Sequence, residues 1–284
     1  MRKELVNLFN IQSPLLEYAR NVTSQFGEDG IIEHIFKVLT PKHKYCVEFG
    51  AWDGKVLSNC YNLIKNNGWR GAMIEANTDK FQELKHTYAG HDVAKVNQFV
   101  HFDGEGKLDN ILASVGAPKD FDILSIDIDG CDYYIWESLT EYAPEVVVVE
   151  FNGTIPNDVI FVQEKSFEVN QGSSLLAFID LGKRKGYELI VATWGNAIFV
   201  KKENLHLFNI PNNFIHFMYK SPVDGRIFQG YDSYIHVVGM DRLQFHGSGC
   251  PLSSENFQVL PEALRYWIKD GLSNADRVMQ RLGM

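Results

Sequence analysis

The hydrophobic pattern of this chain switches repeatedly between helical spacing and the alternating spacing of strands. An amphipathic N-terminal helix and a core-facing helix over 31–39 are predicted first. Apolar runs bounded by turn residues then predict strands. These runs cover 45–49, 70–74, 95–100, 123–126, 146–149, 189–193 and 196–200. Most of them are separated by segments with helical spacing, at 57–66, 79–88, 107–115, 133–139 and 173–185.

Strands that alternate with helices predict an α/β fold, a doubly wound sheet with helices on both faces. The uninterrupted valine run at 146–149 is typical of a central strand buried on both sides. Gly195 and Asn196 lie between two apolar runs, which predicts a hairpin and one antiparallel strand in a seven-stranded sheet.

Three regions follow from this pattern. They are a helical lead-in over 1–40, a core over 41–203 and a C-terminal extension over 204–284. The extension is rich in Pro, Gly and aromatic residues and closes with a helical segment from Pro261. We interpret it as a substrate cap or as an arm between the subunits of a homodimer.

The loop after the first predicted strand is the most informative candidate for ligand binding. Glu48, Gly50, Ala51, Trp52, Asp53 and Gly54 belong to its run, KYCVEFGAWDG. Glycines let a backbone approach a ligand where a Cβ atom would collide. A dinucleotide loop would need Gly-x-Gly-x-x-Gly around a pyrophosphate, which these carboxylates would repel. S-adenosylmethionine fits the loop better, because it carries a cationic amine and hydroxyls but no phosphate.

Acidic residues follow the carboxyl ends of five predicted strands, where open α/β sheets bind ligands. They are Glu48, Glu75, Asp103, Asp127 with Asp129, and Glu150. Glu75, with Ala76 beside it, is positioned to accept hydrogen bonds from both ribose hydroxyls. Asp103 is positioned to accept one from the adenine amino group, although its FDGEG context is also typical of a surface turn.

These motifs together resemble the S-adenosylmethionine-dependent methyltransferases of the FkbM-like group, which have a Rossmann-like methyltransferase fold. The matching segments are SQFGED at 24–29, VEFGAWDG at 47–54, Ile74 with Glu75, SIDIDG at 125–130 and VEFN at 149–152. Relatives in that group often have Asp-Val-Glu-Gly where this chain has Asp-Ile-Asp-Gly. The resemblance implies O-methylation of a sugar, a polysaccharide precursor or a secondary metabolite, with Ser24 and Gln25 closing over the cofactor.

Four oxygen-bearing side chains after the fourth and fifth strands allow two interpretations, and the sequence leaves both open. Asp127, Asp129, Glu150 and Asn152 are hard ligands of the kind that bind Mg²⁺ or Mn²⁺. Such a cation can orient and acidify a substrate hydroxyl. In the alternative, Asp127 binds the amine or methionine end of the cofactor, and Asp129 caps a helix that starts near Asp132.

Methyl transfer to a hydroxyl also requires a base that removes its proton. The candidate bases are Asp127, Glu150, His206, His216, His236 and His246. The candidate contacts to the acceptor are Asn152, Asn170 and Gln171. The polar segment that contains the last two also precedes a helix, so Ser173 or Ser174 is predicted to act as an N-cap in the alternative interpretation.

Composition limits the classes of partner that the protein is expected to bind and the compartment in which it is expected. A net charge of −9 and a pI near 5.5 exclude a general nucleic-acid-binding surface. No apolar run reaches the roughly 20 residues of a membrane span, and charges and Pro14 interrupt the N-terminus, so a cytoplasmic protein is expected. The four cysteines are scattered, which predicts reduced thiols, with Cys46 as a small core residue.

Two rival functions remain at this stage. Asp127 and Asp129 match the Asp-x-Asp pattern of metal-dependent glycosyltransferases, which bind a nucleotide diphosphate. That interpretation leaves the glycine loop and Glu75 without a role, and their acids would oppose a diphosphate. A non-catalytic binding protein with the same fold is the second rival.

Overall fold

The computed structural model describes residues 12–221, 225–239, 242–243, 250–262 and 265. The chain forms two compact units, Met1–Ser221 and Pro222–Met284. Residues 1–11 of the predicted opening helix, most of the predicted segment from Pro261 and the candidate base His246 lie outside the described residues. The division into lead-in, core and extension stays a prediction.

The first unit is built on one seven-stranded sheet. Its strands are β1 Tyr45–Phe49, β2 Arg70–Ile74, β3 Val93–Val96, β4 Ile123–Ile126, β5 Val146–Glu150, β6 Tyr187–Ala192 and β7 Asn196–Lys201. Their order is β3-β2-β1-β4-β5-β7-β6. Strands β1 to β5 pair in parallel, whereas β7 is antiparallel to both β5 and β6. The predicted doubly wound sheet with one antiparallel hairpin strand is confirmed.

Helices flank this sheet near the predicted positions. They are α1 Glu28–Val38, α2 Tyr61–Asn67, α3 Thr78–Thr87, α4 Leu108–Ser114, α5 Asp132–Ser138, α6 Leu175–Arg184 and the single turn α7 Ile215–Met218. Short 3-10 helices span Pro14–Tyr18 and Lys202–Phe208. Helix α2 begins later than predicted, because the carboxylate of Glu48 holds Ser58 and the backbone of Asn59 in the preceding loop. None of the described helices has the length and apolar character needed to cross a bilayer.

Strand β3 differs from the prediction, which placed it over 95–100. It spans Val93–Val96, and its pairing with β2 ends there. The side-chain amide of Asn97 then donates to the carbonyls of Glu75 and Ala76, at 2.8 and 3.1 Å. The chain therefore leaves the sheet four residues earlier than its apolar pattern indicates.

Alternate residues of β1 pack into hydrophobic clusters on opposite faces of the sheet. Tyr45, Val47 and Phe49 belong to one cluster, together with Trp136. Cys46 belongs to the other cluster and is fully buried, as predicted for a small core residue. Because a slip of one residue would exchange the two faces, packing on both sides fixes the register of the strand.

The second unit contains short antiparallel pairs. Its elements are β8 Arg226–Gln229, β9 Ile235–Val238, β10 Arg242–Leu243, β11 Cys250–Pro251 and a 3-10 helix over Ser254–Phe257. The side chain of Gln258 accepts from the backbone N–H of Ile235 at 3.0 Å and donates to its carbonyl at 2.7 Å. The ring of His236 stacks on Phe228 at 4.9 Å.

Candidate functional site

A cavity of about 650 Å³ opens at the carboxyl ends of β1, β2 and β4, beside the point where the strand order reverses. We call it the first cavity; its volume is typical of small-molecule sites. Many residues predicted from the sequence lie in its wall. They are Gln25, Glu48, Gly50, Ala51, Trp52, Glu75, Ala76, Asp127, Asp129, Glu150 and Asn170.

A second cavity of about 430 Å³ shares Gln25, Asp129, Glu150 and Asn170 with the first. The remainder of its wall combines aromatic rings with amides, small residues and the carboxylate of Asp132. These residues include Phe26, Phe151, Asn152, Gly153, Thr154, Gln171, Trp194 and Gly195. The two cavities therefore meet at an acidic boundary formed by Asp129 and Glu150.

Both cavities carry carboxylates. Among the described residues that line them, none is lysine, arginine or histidine. A phosphate-bearing ligand would meet carboxylates and no positively charged side chain among these described residues. A cationic or hydroxyl-rich ligand would find many acceptors.

Glu75 lies in the wall of the first cavity and is only 6% exposed. Its two carboxylate oxygens accept the backbone N–H of Trp52 at 2.7 Å and of Asn77 at 2.6 Å. Each oxygen keeps a further lone pair, so the carboxylate can also accept hydrogen bonds from a ligand. Glu75 thus braces the loop after β1 against the start of α3, a structural role that the sequence did not indicate.

Glu48 also lines the first cavity but directs its carboxylate to the protein. It accepts the Ser58 hydroxyl at 2.5 Å and the backbone N–H of Asn59 at 2.8 Å. Burial raises the pKa of Glu48 to about 7, although these hydrogen bonds and one from Ser125 oppose the rise. The carboxylate therefore fixes the loop that precedes α2.

The raised pKa of Glu48 predicts a pH dependence of stability. The folded chain holds the proton more tightly than the unfolded chain, so this contribution is complete below pH 4.5 and is lost as pH rises to about 7. The difference in unfolding free energy between the parent and Glu48→Gln should move against the parent by up to about 3 kcal/mol across this window. Urea unfolding at pH 5 and pH 8 measures it, and parallel pH curves for the two proteins would contradict it.

Position 50 requires glycine because the loop after β1 packs closely against the loop after β4. Gly50 has a φ of +70°, and a Cβ atom there would lie 1.7 Å from the backbone carbonyl oxygen of Asp127. Gly54, at a φ of +75°, lies outside both cavities. A Cβ atom on it would lie 2.6 Å from the Tyr88 ring. Both glycines therefore serve packing within the protein, and only Gly50 borders the first cavity.

We expect Gly50→Ala to cost about 3 kcal/mol or more of unfolding free energy, because strain at positive φ adds to the steric conflict with Asp127. Gly68→Ala is the matched control. Gly68 has a φ of +68° and no atom within 4 Å of the place that an added methyl group would take, so about 1 kcal/mol is expected. Urea unfolding of the two variants separates backbone strain from the contact, and equal losses would show that the contact carries no energy.

Three other residues predicted to bind the cofactor lie outside both cavities. The Ser24 hydroxyl accepts the backbone N–H of Asp29 at 3.0 Å, at the start of α1. The Asp53 carboxylate accepts two backbone N–H groups of the following turn, each at 2.8 Å. Asp103 is exposed in its turn. The structure thus uses Ser24 and Asp53 to shape loops and leaves Asp103 at the surface.

Other residues take the place expected for Asp103. Gln98, Phe99 and Val100 follow β3 and line the first cavity, together with Phe167 and Val169 from the loop after β5. The rings of Phe99 and Phe167 lie 4.8 Å apart, edge to face. Sequence reasoning missed Phe99 because it assigned this residue to a strand. In the structure Phe99 is 46% exposed, and the sequence signal is no more than an aromatic residue next to the polar Gln98.

Three of the four predicted metal ligands come together. Carboxylate oxygens of Asp127, Asp129 and Glu150 lie within 4.8 Å of one another. Burial raises the pKa of Asp127 and of Glu150, and nearby acids, Asp132 among them, raise both further. Binding of a proton or a cation to this acidic trio is therefore favourable.

Asn152 does not join the other predicted metal ligands, and Asp129 is not the helix cap of the alternative interpretation, although Asn152 lines the second cavity. The amide oxygen of Asn152 accepts the backbone N–H of Thr154 at 3.0 Å and its hydroxyl at 2.6 Å, so it is turned to its own loop instead of to the trio. Helix α5 starts at Asp132, whose carboxylate accepts the backbone N–H groups of Ile128 and Gly130. Asp132, and not Asp129, therefore holds the loop that precedes α5.

The loop between β5 and α6 places Asn170 in both cavities and Gln171 in the second. Gln163, which is buried, accepts the backbone N–H of Gln171 at 3.1 Å and so holds this loop. Ser174 accepts the backbone N–H of Ala177 and is the N-cap of α6, in agreement with one predicted alternative.

Two of the candidate histidine bases, His206 and His216, are described in the first unit. His206 and His216 line neither cavity, and His236 belongs to the second unit. Asp127 and Glu150 are therefore the predicted bases that the described cavity walls contain.

Comparison with known proteins gives distant likenesses. No protein-family model and no curated protein matches the chain. Among solved structures, an S-adenosylmethionine-dependent methyltransferase from Clostridium acetobutylicum ATCC 824 aligns with a TM-score of 0.43 and 8% identity, over 70% of this chain and 98% of that one. The CcbJ methyltransferase from Streptomyces caelestis aligns with a TM-score of 0.40 and 11% identity, over 68% and 97%.

The CMeT domain of the citrinin polyketide synthase aligns with a TM-score of 0.41 and 12% identity, over 70% of this chain. This chain spans just over half of the first solved chains that it matches, 56%, 52% and 56% of their lengths. The resemblance to the FkbM-like group therefore stays an expectation from the sequence.

Proposed function

We propose that this chain is an S-adenosylmethionine-dependent methyltransferase that methylates a hydroxyl oxygen, with the cofactor in the first cavity and the acceptor in the second. The observation that carries the proposal is the pair of cavities that meet at Asp129 and Glu150 and whose described lining residues include carboxylates but no lysine, arginine or histidine. Donor and acceptor would then approach each other across a boundary of carboxylates. Such placement accounts for much of the acceleration of a two-substrate reaction.

The wall of the first cavity fits the cofactor chemically. When bound, S-adenosylmethionine supplies an electrophilic methyl group on a cationic sulfur. Glu75 has lone pairs that can accept ribose hydroxyls, and in the alternative without a metal ion Asp127 would accept from the ammonium group. Phe99 and Phe167 offer ring faces and edges to a nucleobase.

The second cavity supports an acceptor with several hydroxyls. Trp194 is 54% exposed in its wall, and Asn170 and Gln171 provide polar groups beside it. A sugar, a polysaccharide precursor or a secondary metabolite, as the sequence resemblance implies, has this combination of apolar faces and hydroxyls. Glu150, which borders both cavities, is the proposed base for the acceptor proton.

The acidic trio also fits a divalent cation, since oxygen ligands from adjacent strand ends suit Mg²⁺ and Mn²⁺. Asp127, Asp129 and Glu150 would hold the ion, which would acidify the acceptor hydroxyl. We expect excess chelator to abolish turnover and Mg²⁺ or Mn²⁺ to restore it, with binding of S-adenosylhomocysteine unaffected. Full activity in excess chelator would contradict a metal requirement and leave proton removal to the carboxylates alone.

Calorimetric titration tests the proposed function directly. S-adenosylmethionine and S-adenosylhomocysteine are titrated with and without Mg²⁺, beside a nucleotide sugar. Micromolar binding of the first two, without binding of the nucleotide sugar, is expected. Binding of the nucleotide sugar alone would favour the glycosyltransferase alternative, and binding of none of them would favour a non-catalytic binding protein.

A further inference from the structure

Glu28 is a fully buried carboxylate that neither cavity exposes. It is the first residue of α1, and its oxygens accept three hydrogen bonds. One comes from the segment just before α1, and two come from residues that flank the turn between β6 and β7, far away in the sequence. One oxygen accepts the Thr193 hydroxyl at 2.7 Å and the Asn196 side-chain amide at 3.2 Å. The other accepts the backbone N–H of Phe26 at 2.7 Å.

These partners belong to or flank two adjoining segments of the second cavity's lining, which we call its two walls. Phe26 precedes α1, whereas Trp194 and Gly195 form the turn between β6 and β7, and all three line that cavity. The rings of Phe26 and Trp194 lie 5.3 Å apart. A Cβ atom on Gly195 would lie 3.0 Å from the Phe26 ring, so this ring rests on the turn.

The neighbouring acid has a different set of partners. Asp29 accepts the backbone N–H groups of Val22, Thr23 and Ser24, at 2.7 to 2.8 Å. None of these three residues lines either cavity. Of the two acids that begin α1, Asp29 therefore shapes the approach to the helix, and Glu28 joins the cavity walls.

The geometry points to Glu28 as a positioning residue for the acceptor, which fixes the aromatic walls of the second cavity without touching the ligand. This inference rests on the proposed function, because it takes the second cavity to be the acceptor site. Glu28→Gln keeps the volume of the side chain but replaces one of the two acceptor oxygens with an NH₂ group. That NH₂ group then faces the donors that the lost oxygen accepted, either Phe26 or the pair Thr193 and Asn196. The hydrogen bonds that join the two walls can then no longer all form.

The test follows the environment of Trp194 by fluorine NMR of protein labelled with 5-fluorotryptophan. The Trp194 resonance is assigned with Trp194→Phe, and Trp52, in the first cavity, serves as the reference. In Glu28→Gln we expect the Trp194 resonance to shift or broaden while that of Trp52 stays. Binding of S-adenosylhomocysteine should remain within about twofold of the parent, and KM for a hydroxyl acceptor should rise about tenfold or more.

Two further variants make the outcome decisive. Thr193→Val removes one donor to Glu28, and with it the acceptor of the Asn196 backbone N–H, with little change of volume. It should move the Trp194 resonance in the same way, even where Glu28→Gln folds poorly. Glu33→Gln is the control on the same helix, since Glu33 contacts Arg20 and Asn62 and lines neither cavity. It should leave the Trp194 resonance unchanged.

An unchanged Trp194 resonance in folded Glu28→Gln and Thr193→Val would overturn the inference about Glu28, whatever the cofactor does. Failure of the parent to bind S-adenosylhomocysteine would instead overturn the proposed function. In that case the fluorine signal still reports whether Glu28 holds the walls together.

Discussion

Glu75→Ala is expected to weaken binding of S-adenosylhomocysteine by about 10- to 100-fold, as the loss of hydrogen bonds to a charged acceptor should cost about 1.5–3 kcal/mol. The carboxylate lies in the first cavity and has lone pairs beyond those used by Trp52 and Asn77. The variant should also unfold at lower urea concentration, because both backbone N–H groups lose their acceptor. Calorimetry at a temperature where the variant is fully folded measures the affinity.

Asn77→Ala is the control for the structural part of this effect. Asn77 caps α3 beside Glu75 by accepting two backbone N–H groups, and it lines neither cavity. Its replacement should cost about 1 kcal/mol of stability and leave cofactor affinity nearly unchanged. If Glu75→Ala binds as tightly as the parent, the assignment of the ribose end of the first cavity is wrong.

Glu150→Gln is expected to lower kcat by about 10²- to 10⁴-fold, the usual contribution of a positioned base, with little change in binding of S-adenosylhomocysteine. The side chain ends β5 at the boundary of the two cavities. Release of S-adenosylhomocysteine, with an acceptor found by screening hydroxyl compounds, measures kcat. Burial raises the pKa of Glu150. As pH falls, the parent should therefore start to lose activity at a higher pH than the usual pKa of a glutamate would predict.

Glu145→Gln provides the matched control at the opposite end of the same strand. Glu145 precedes β5, pairs with Lys201 at 3.4 Å and lines neither cavity. Its kcat should equal that of the parent. A Glu150→Gln variant with undiminished kcat would move the role of base to Asp127.

The sheet was predictable because most of its strands are buried on both faces and are mainly apolar, as in 146–149. The acids at the strand ends were predictable for the same reason, since a residue that follows a parallel strand must lie at the ligand-binding edge. Asp103 shows where this reasoning ends. Its position depends on the course of the chain after β3, and the amide of Asn97 decides that course by replacing a strand pairing.

Glu28 shows a second limit of reading the sequence. Its motif resembled a loop that closes over the cofactor, but its side-chain partners Thr193 and Asn196 lie 165 and 168 residues away. No local spacing reveals such a contact. The predicted ligand contacts Ser24 and Asp53 lie outside both cavities, and both accept hydrogen bonds from nearby backbone groups that any polar loop must satisfy.

The contact between Gly50 and the carbonyl of Asp127 also determines which parts of the protein can diverge independently. The two loops touch so closely that no side chain fits between them, so a change at residue 50 would displace the acid at 127 as well. The second cavity is built largely from loop residues such as Asn152, Gln171 and Trp194. Laboratory evolution toward new acceptors should therefore accumulate substitutions at these three positions while residue 50 stays glycine.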